Sequence, residues 1–281
     1  METTFSPKLV VDGLAFAEAP RWHQGELWFS DFYTHQVCRV GPDGVVAAVL
    51  DVPGQPSGLG WLPDGRLLVV SMTDRRLLRQ DPDGLVTVAD LSAYAPFDCN
   101  DMVVDHQGRA YIGNFGFDLI GKAPVRPTGL LLVTQDGQVR VVAEDLLFPN
   151  GSVITPDGAT LIVAETFGKR LTAFSIAADG SLFDRRVWAD LGAASPDGIC
   201  LDAAGAVWVA SPPTATFLRV LQGGQVTDQI GVDNQAIACA LGGPAGHTLY
   251  LVTGRVGNAE KSLQRRLGAI LALEVPVAMP I

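Results

Sequence analysis

The stretch Ser195-Pro-Asp-Gly-Ile-Cys-Leu-Asp-Ala-Ala-Gly-Ala-Val-Trp-Val-Ala210 reads as an apolar strand, a turn ending in glycine and a second apolar strand, with Asp197 just ahead of the first. Pro-Asp-Gly is ordinary turn chemistry, so taken alone Asp197 is a turn residue. Recurrence changes that reading. Apolar strands follow a turn glycine at 26–30, 66–71, 109–113, 160–164, 206–210 and 248–252. The glycines, Gly25, Gly65, Gly108, Gly158, Gly205 and Gly246, lie 40, 43, 50, 47 and 41 residues apart. A period of roughly 40–50 residues with short strands and glycine turns is the signature of a β-propeller with four strands per blade. Six repeats fill the chain. The sequence therefore predicts an all-β fold, a six-bladed β-propeller with four-stranded antiparallel blades around a central channel, as a single domain over 1–281. Residues 9–14 precede the first full repeat and 268–275 close the last, so the two are expected in one blade, zipping the ring shut. Helical periodicity is absent over any useful length.

Composition agrees. The 281 residues are 48% hydrophobic, enough for a sizeable core, and 31 Gly with 18 Pro supply the turns that short strands require. The net charge of −10 repels phosphate backbones and disfavours nucleic acid as a partner. No apolar run reaches the ~18–20 residues that span a membrane, and Met-Glu-Thr-Thr-Phe-Ser-Pro-Lys at the start lacks the pattern of a signal peptide. Cys38, Cys99, Cys200 and Cys239 form no Cys-x-x-Cys pair and read as free thiols in a reducing compartment, which points to the cytoplasm. The expected partner is a small-molecule substrate, with the chain a monomer or small homo-oligomer.

Counting back from the turn glycines puts oxygen donors in phase. Glu18 lies seven residues before Gly25; Asn100, Asn150 and Asp197 lie eight before Gly108, Gly158 and Gly205; Ser57 and Ala238 take the position in the other two repeats. Asp43-Gly44, Asp64-Gly65, Asp83-Gly84 and Asp157-Gly158 read as turns, but Asn150-Gly151 and Asp197-Gly198 fall a full strand upstream. Propeller symmetry then aims Glu18, Asn100, Asn150 and Asp197 into one end of the channel. Two carboxylates and two amides on one axis call for a divalent cation, Ca2+ first by its preference for oxygen, then Mg2+ or Mn2+, with Zn2+ or Fe2+ also admitted. A second ring, six or seven residues after each glycine, is Asp31, Met72, Asn114, Glu165, Ser211 and Thr253, and is expected to wall the pocket. Long excursions at 115–128 and 255–267 leave the same end and suit lids or solvated loops. His23, His35, His106 and His247 share no position in the repeat and read as surface or turn residues.

In its motifs the chain resembles the senescence-marker-protein/gluconolactonase/luciferin-regenerating family. The stretches that carry the resemblance are Glu18-Ala-Pro-Arg-Trp22, Asn100-Asp-Met-Val-Val-Asp105 with Gly108-Arg-Ala-Tyr, Pro149-Asn-Gly-Ser-Val-Ile-Thr-Pro-Asp-Gly158, and Ser195-Pro-Asp-Gly-Ile-Cys-Leu-Asp202 with Gly205-Ala-Val-Trp. It implies a six-bladed propeller with a divalent ion in the channel that hydrolyses a lactone or related cyclic ester. It implies that Glu18, Asn150 and Asp197 bind the metal, that Asn100 holds the metal or its water and substrate, and that Asp197 is the general base. Asp98, Asn114 and Glu165 join Asn100 as substrate-binding candidates. Sugar-lactonase members commonly carry Arg where this chain has Asp98, which puts an aldonolactone substrate in doubt. A phosphotriester or phosphofluoridate hydrolase on the same site, and a non-catalytic binding propeller with a structural ion, are the alternatives.

Overall fold

The computed structural model describes residues 6–41 and 44–280. Asp43 of the expected Asp43-Gly44 turn and the first five residues of the N-terminal stretch lie outside them. Six four-stranded antiparallel sheets follow one another along the chain. Blade 1 is Ala17–His23, Glu26–Asp31, Gln36–Val40 and Val46–Asp51; blade 2 is Pro56–Trp61, Leu67–Ser71, Arg76–Asp81 and Gly84–Asp90. Blade 3 is Cys99–Val104, Ala110–Asn114, Thr128–Val133 and Val139–Leu146; blade 4 is Pro149–Ile154, Thr160–Glu165, Arg170–Ile176 and Leu182–Asp190. Blade 5 is Ile199–Leu201, Val207–Ser211, Thr216–Val220 and Val226–Gly231. Blade 6 is Gln235–Gly242, Thr248–Gly254, Gly268–Glu274 and, as its outermost strand, Lys8–Leu14. The N-terminal strand thus pairs antiparallel with the last strand of the chain and closes the ring.

The first strand of each blade is innermost, and these inner strands contact their neighbours all the way round. All six turn glycines have φ between 69° and 87°, a region that costs glycine nothing. Apolar side chains fill the space between blades. Leu59, Val69 and Val37 pack between blades 1 and 2, Leu68, Met102 and Ile112 between 2 and 3, and Tyr111, Leu130 and Val163 between 3 and 4. Ile162, Val207 and Val209 pack between 4 and 5, Trp208, Phe217 and Leu251 between 5 and 6, and Phe29, Val252 and Ile270 between 6 and 1. One element was not expected. The excursion after Gly254 contains a two-turn helix, Ala259–Arg265, whose first turn is capped by the Asn258 side chain accepting from Lys261 N–H at 3.0 Å. It is too short for periodicity to register. Among the described residues no helix is long and apolar enough to cross a membrane.

Candidate metal centre at one end of the channel

Five of the six inner strands are irregular near their start; that of blade 5 pairs in register. In blade 4 Pro149 faces Glu165 and Ser152 faces Val163, so one extra residue is accommodated and the strand bulges around Asn150 and Gly151. The same slip occurs between Glu18 and Arg21, Pro56 and Leu59, Cys99 and Met102, and Ala236 and Ala238. Bulges re-aim side chains, and here they carry Glu18, Ser57, Asn100 and Asn150; Asp197 takes the equivalent place just ahead of the blade 5 inner strand, its N–H donating to Ala210 O at 2.9 Å. The sixth member is Ile237. In blade 6 the turn between Leu241 and Leu249 is one residue longer than its blade 4 counterpart, so pairing puts Ile237, rather than Ala238, at the ring position.

The glycines after two ring residues are not turn residues. Neither Gly151 nor Gly198 has positive φ. A Cβ on Gly151 would lie 2.7 Å from Asp197 O and Ile199 N, and one on Gly198 would lie 2.6 Å from Ala238 Cα. Only glycine lets adjacent inner strands approach this closely.

Glu18, Asn100, Asn150 and Asp197 are all buried. Asn150 Nδ2 donates a very short hydrogen bond to Asp197 Oδ1 and a longer one, 3.3 Å, to Thr166 Oγ1, which in turn donates to Pro196 O at 2.7 Å. Asn100 Nδ2 donates to Pro149 O at 3.5 Å, and Ala19 N–H donates to Glu18 Oε2 at 2.7 Å. Burial pushes the Glu18 carboxyl well above its ordinary range, and the nearby charges of Asp197 and Asp101 push it further. Burial likewise raises Asp197 to about 7; the hydrogen bond from Asn150 opposes this and Asp101 adds to it. Among the described residues neither Glu18 nor Asp197 forms an ion pair with a basic side chain. These are two desolvated carboxylates with a shared deficit of positive charge.

Beneath the ring, Arg21 Nη2 reaches across from blade 1 to blade 3 and donates to Asp101 Oδ1 at 2.7 Å and Met102 O at 2.8 Å. Asp101 occupies the position that glycine takes in blades 2, 4 and 5 and is 4% exposed. Burial raises its pKa while Arg21 lowers it. Sequence reasoning passed over this pair; the signal was a lone acid among small residues at that position.

The second ring serves the blades themselves. Asp31 accepts from Ala15 and Phe16 N–H at 3.0 and 2.9 Å, and Ser211 Oγ from Ser195 N–H at 3.2 Å. Asn114 donates to Gly129 O and accepts from Thr128 Oγ1. Glu165 accepts from Leu147 N–H, Arg170 and Thr172. Burial alone would raise Glu165, but Arg170, Thr172 and the Leu147 N–H outweigh it and hold it below the ordinary value. Asn114 and Glu165 therefore spend their polar atoms inside blades 3 and 4. By pairing, Ser71 rather than Met72 is the blade 2 member, because Pro56 faces Ser71. Asp98 is half-buried, its carboxyl raised to about 6 by burial, with Arg75 opposing and Asp118 reinforcing the shift. The histidines do not gather: His23 stacks on Trp61, and His35 and His247 meet backbone carbonyls. All four cysteines are free thiols, yet Cys200 and Cys239 meet across blades 5 and 6 at 3.6 Å.

A six-bladed propeller whose channel ends in a ring of buried oxygen donors is a narrow class. Residues 16–255 match the SMP-30/Gluconolactonase/LRE-like region, and the chain belongs to that family. It is 26% identical over 261 residues to a 6-deoxy-6-sulfogluconolactonase of Pseudomonas putida, covering 88% of this chain and 86% of the relative. It is 25% identical over 283 residues to a pentonolactonase of Haloferax volcanii, covering 95% and 94%. Among solved structures, a calcium-binding regucalcin of Agrobacterium tumefaciens superposes with a TM-score of 0.82 at 22% identity, over 99% of this chain and 96% of that one.

Proposed function

We propose that this protein is a divalent-metal-dependent hydrolase of lactones or related cyclic esters. The observation that carries the proposal is the ring itself: two buried carboxylates without basic partners and two carboxamides on one channel end. The donor set fits a hard cation, Ca2+ before Mg2+ or Mn2+, because every donor is oxygen and two are anionic. Glu18, Asn150 and Asp197 would hold it, with Asn100 on the metal or on its water and the substrate. When bound, the cation would supply Lewis-acid polarisation of the scissile carbonyl. The family and its two lactonase relatives favour lactone over other esters.

The chain's own part is proton handling and orientation. Asn150 fixes one oxygen of Asp197, leaving the other to accept the proton of the attacking water. Water oxygen joins the carbonyl carbon, the ring C–O bond breaks, and the proton passes to the departing alkoxide, giving a hydroxy acid. A carboxylate beside a cation is a weaker base, so the two roles of Asp197 compete. Asp197→Asn should retain part of the metal and lose roughly 10²-fold or more in kcat; near-wild-type turnover would remove Asp197 as the base. The overall proposal is tested by metal content and a lactone panel on the purified protein, before and after chelation and after calcium is returned. Undiminished hydrolysis in the metal-free protein would overturn it.

A further inference from the structure

We propose that the lactone taken by this site carries an apolar alkyl or aryl substituent. This inference rests on the lactone-hydrolysis reading and adds the substrate class.

The apolar cluster between blades 6 and 1 does not stop at that interface. It runs on across the ring end of the channel through Phe16, Met72, Phe115, Phe117 and Phe148, contributed by blades 1, 2, 3 and 4. Phe16 and Phe148 each stand two residues ahead of a ring member, Glu18 and Asn150. Phe148 is held at φ 62°, a conformation rare for a bulky side chain and one that persists only when its surroundings impose it. Its ring meets Phe115 at 4.5 Å and Phe167 at 5.3 Å between centroids, and Phe117 meets Phe167 at 5.5 Å.

This is not a sealed core. Phe167 is 40% exposed, and Ile120 and Val125, on the excursion that carries Phe117, are 64% and 46% exposed. Through Phe167, in contact with Phe117 and Phe148, apolar side chains therefore connect solvent to the neighbourhood of the ring, and exposed apolar surface of this kind marks a binding region. On the far side the ring position of blade 6 is Ile237, fully buried.

Most of the second ring's polar side chains are already used inside the blades, Ser71 being the exception. Asp31 holds Ala15 and Phe16, Asn114 holds Thr128 and Gly129, and Glu165 holds Leu147, Arg170 and Thr172. A polyhydroxylated lactone therefore meets few free partners, and each hydroxyl left unmet costs about tenfold or more in affinity. An alkyl or aryl group gains about fourfold per buried methylene.

The test is kcat/KM of the calcium-loaded protein on γ-butyrolactones bearing methyl to hexyl chains, beside gluconolactone and pentonolactones. The expected result is a rise of about fourfold per methylene over the first several carbons, with the aldonolactones at least about 100-fold slower than the best alkyl lactone. A flat series, or aldonolactones hydrolysed as well, overturns the inference and leaves the lactonase reading standing. Calorimetric binding of an unreactive alkyl lactam against gluconolactam separates the two ideas. Preferential binding of the alkyl lactam with no lactone turned over keeps the apolar site and overturns lactone hydrolysis; tighter gluconolactam, or neither binding, overturns the apolar site. Phe117→Ser should flatten the chain-length dependence to about twofold per methylene while leaving calcium content unchanged; an unaltered slope counts against the wall.

Discussion

At the ring a single atom separates a site from a collision. Asn150-Gly151 and Asp197-Gly198 look like turns, and the phase of the repeat alone argues otherwise. The structure supplies the physical reason: each glycine lets one inner strand lie against the backbone of the next. Gly151→Ala puts a methyl group 2.7 Å from two backbone atoms that cannot swing aside, Asp197 O and Ile199 N. We expect a loss of about 1–3 kcal/mol in urea unfolding. Gly231→Ala, in a strand position with open space and no positive φ, should stay within about 0.5 kcal/mol. Equal effects at the two positions would mean that blade contact does not require the glycine. The equivalence of Glu18, Asn100, Asn150 and Asp197 was legible because counting from a turn glycine tracks an inner strand well. The same counting misses by one at Ile237 and Ser71, because turn length on either side of the glycine varies between blades. Counting residues cannot see pairing.

Within a blade, the element-scale device is the buried acid that ties strands together. Glu165 ends the second strand of blade 4, holds Arg170 and Thr172 on the third, and accepts the N–H of Leu147 that leads into the inner strand. Its folded-state pKa is lowered, burial being outweighed by these partners. The folded protein thus binds fewer protons here than the unfolded chain does. The stabilisation is fully present above the ordinary glutamate value of about 4.3 and is lost as pH falls through the lower folded value. Glu165→Gln should therefore be clearly destabilised at pH ~7, with its gap to wild type narrowing at pH ~3. A gap that stays constant or widens on acidification would show that the charge is not what Glu165 contributes. Sequence reasoning placed this residue on a pocket wall because strand period and topology bring it to the ring end. Whether a side chain at a strand end turns to the channel or to its own blade depends on partners such as Arg170 and the Leu147 N–H, which no periodicity reports.

Over the whole molecule, the proposed donors come one each from blades 1, 3, 4 and 5, so a cation held by them would cross-link four separate sheets. The fold was readable from spacing because a propeller repeats, and the closing strand Lys8–Leu14 followed from what was left over at the two ends. The Arg21–Asp101 pair and the aromatic surface were not readable, since each joins residues that the repeat does not make equivalent. Electrostatics across the ring yields a thermodynamic prediction. Without a cation the two buried carboxylates cost stability; with one at about 100 times its Kd the protein gains about 2.7 kcal/mol, on the order of 5–10 °C in Tm for a chain this size. Chelation should lower Tm by that amount and calcium should restore it. Replacing both acids, Glu18→Gln with Asp197→Asn, removes the repulsion and the ligand charge together. That variant should be indifferent to chelator and more stable than the metal-free wild type, as when buried unpaired charges are removed. If the double variant instead melts below the metal-free wild type, the carboxylates stabilise the fold by themselves, and the case for a cation at the ring loses its physical basis.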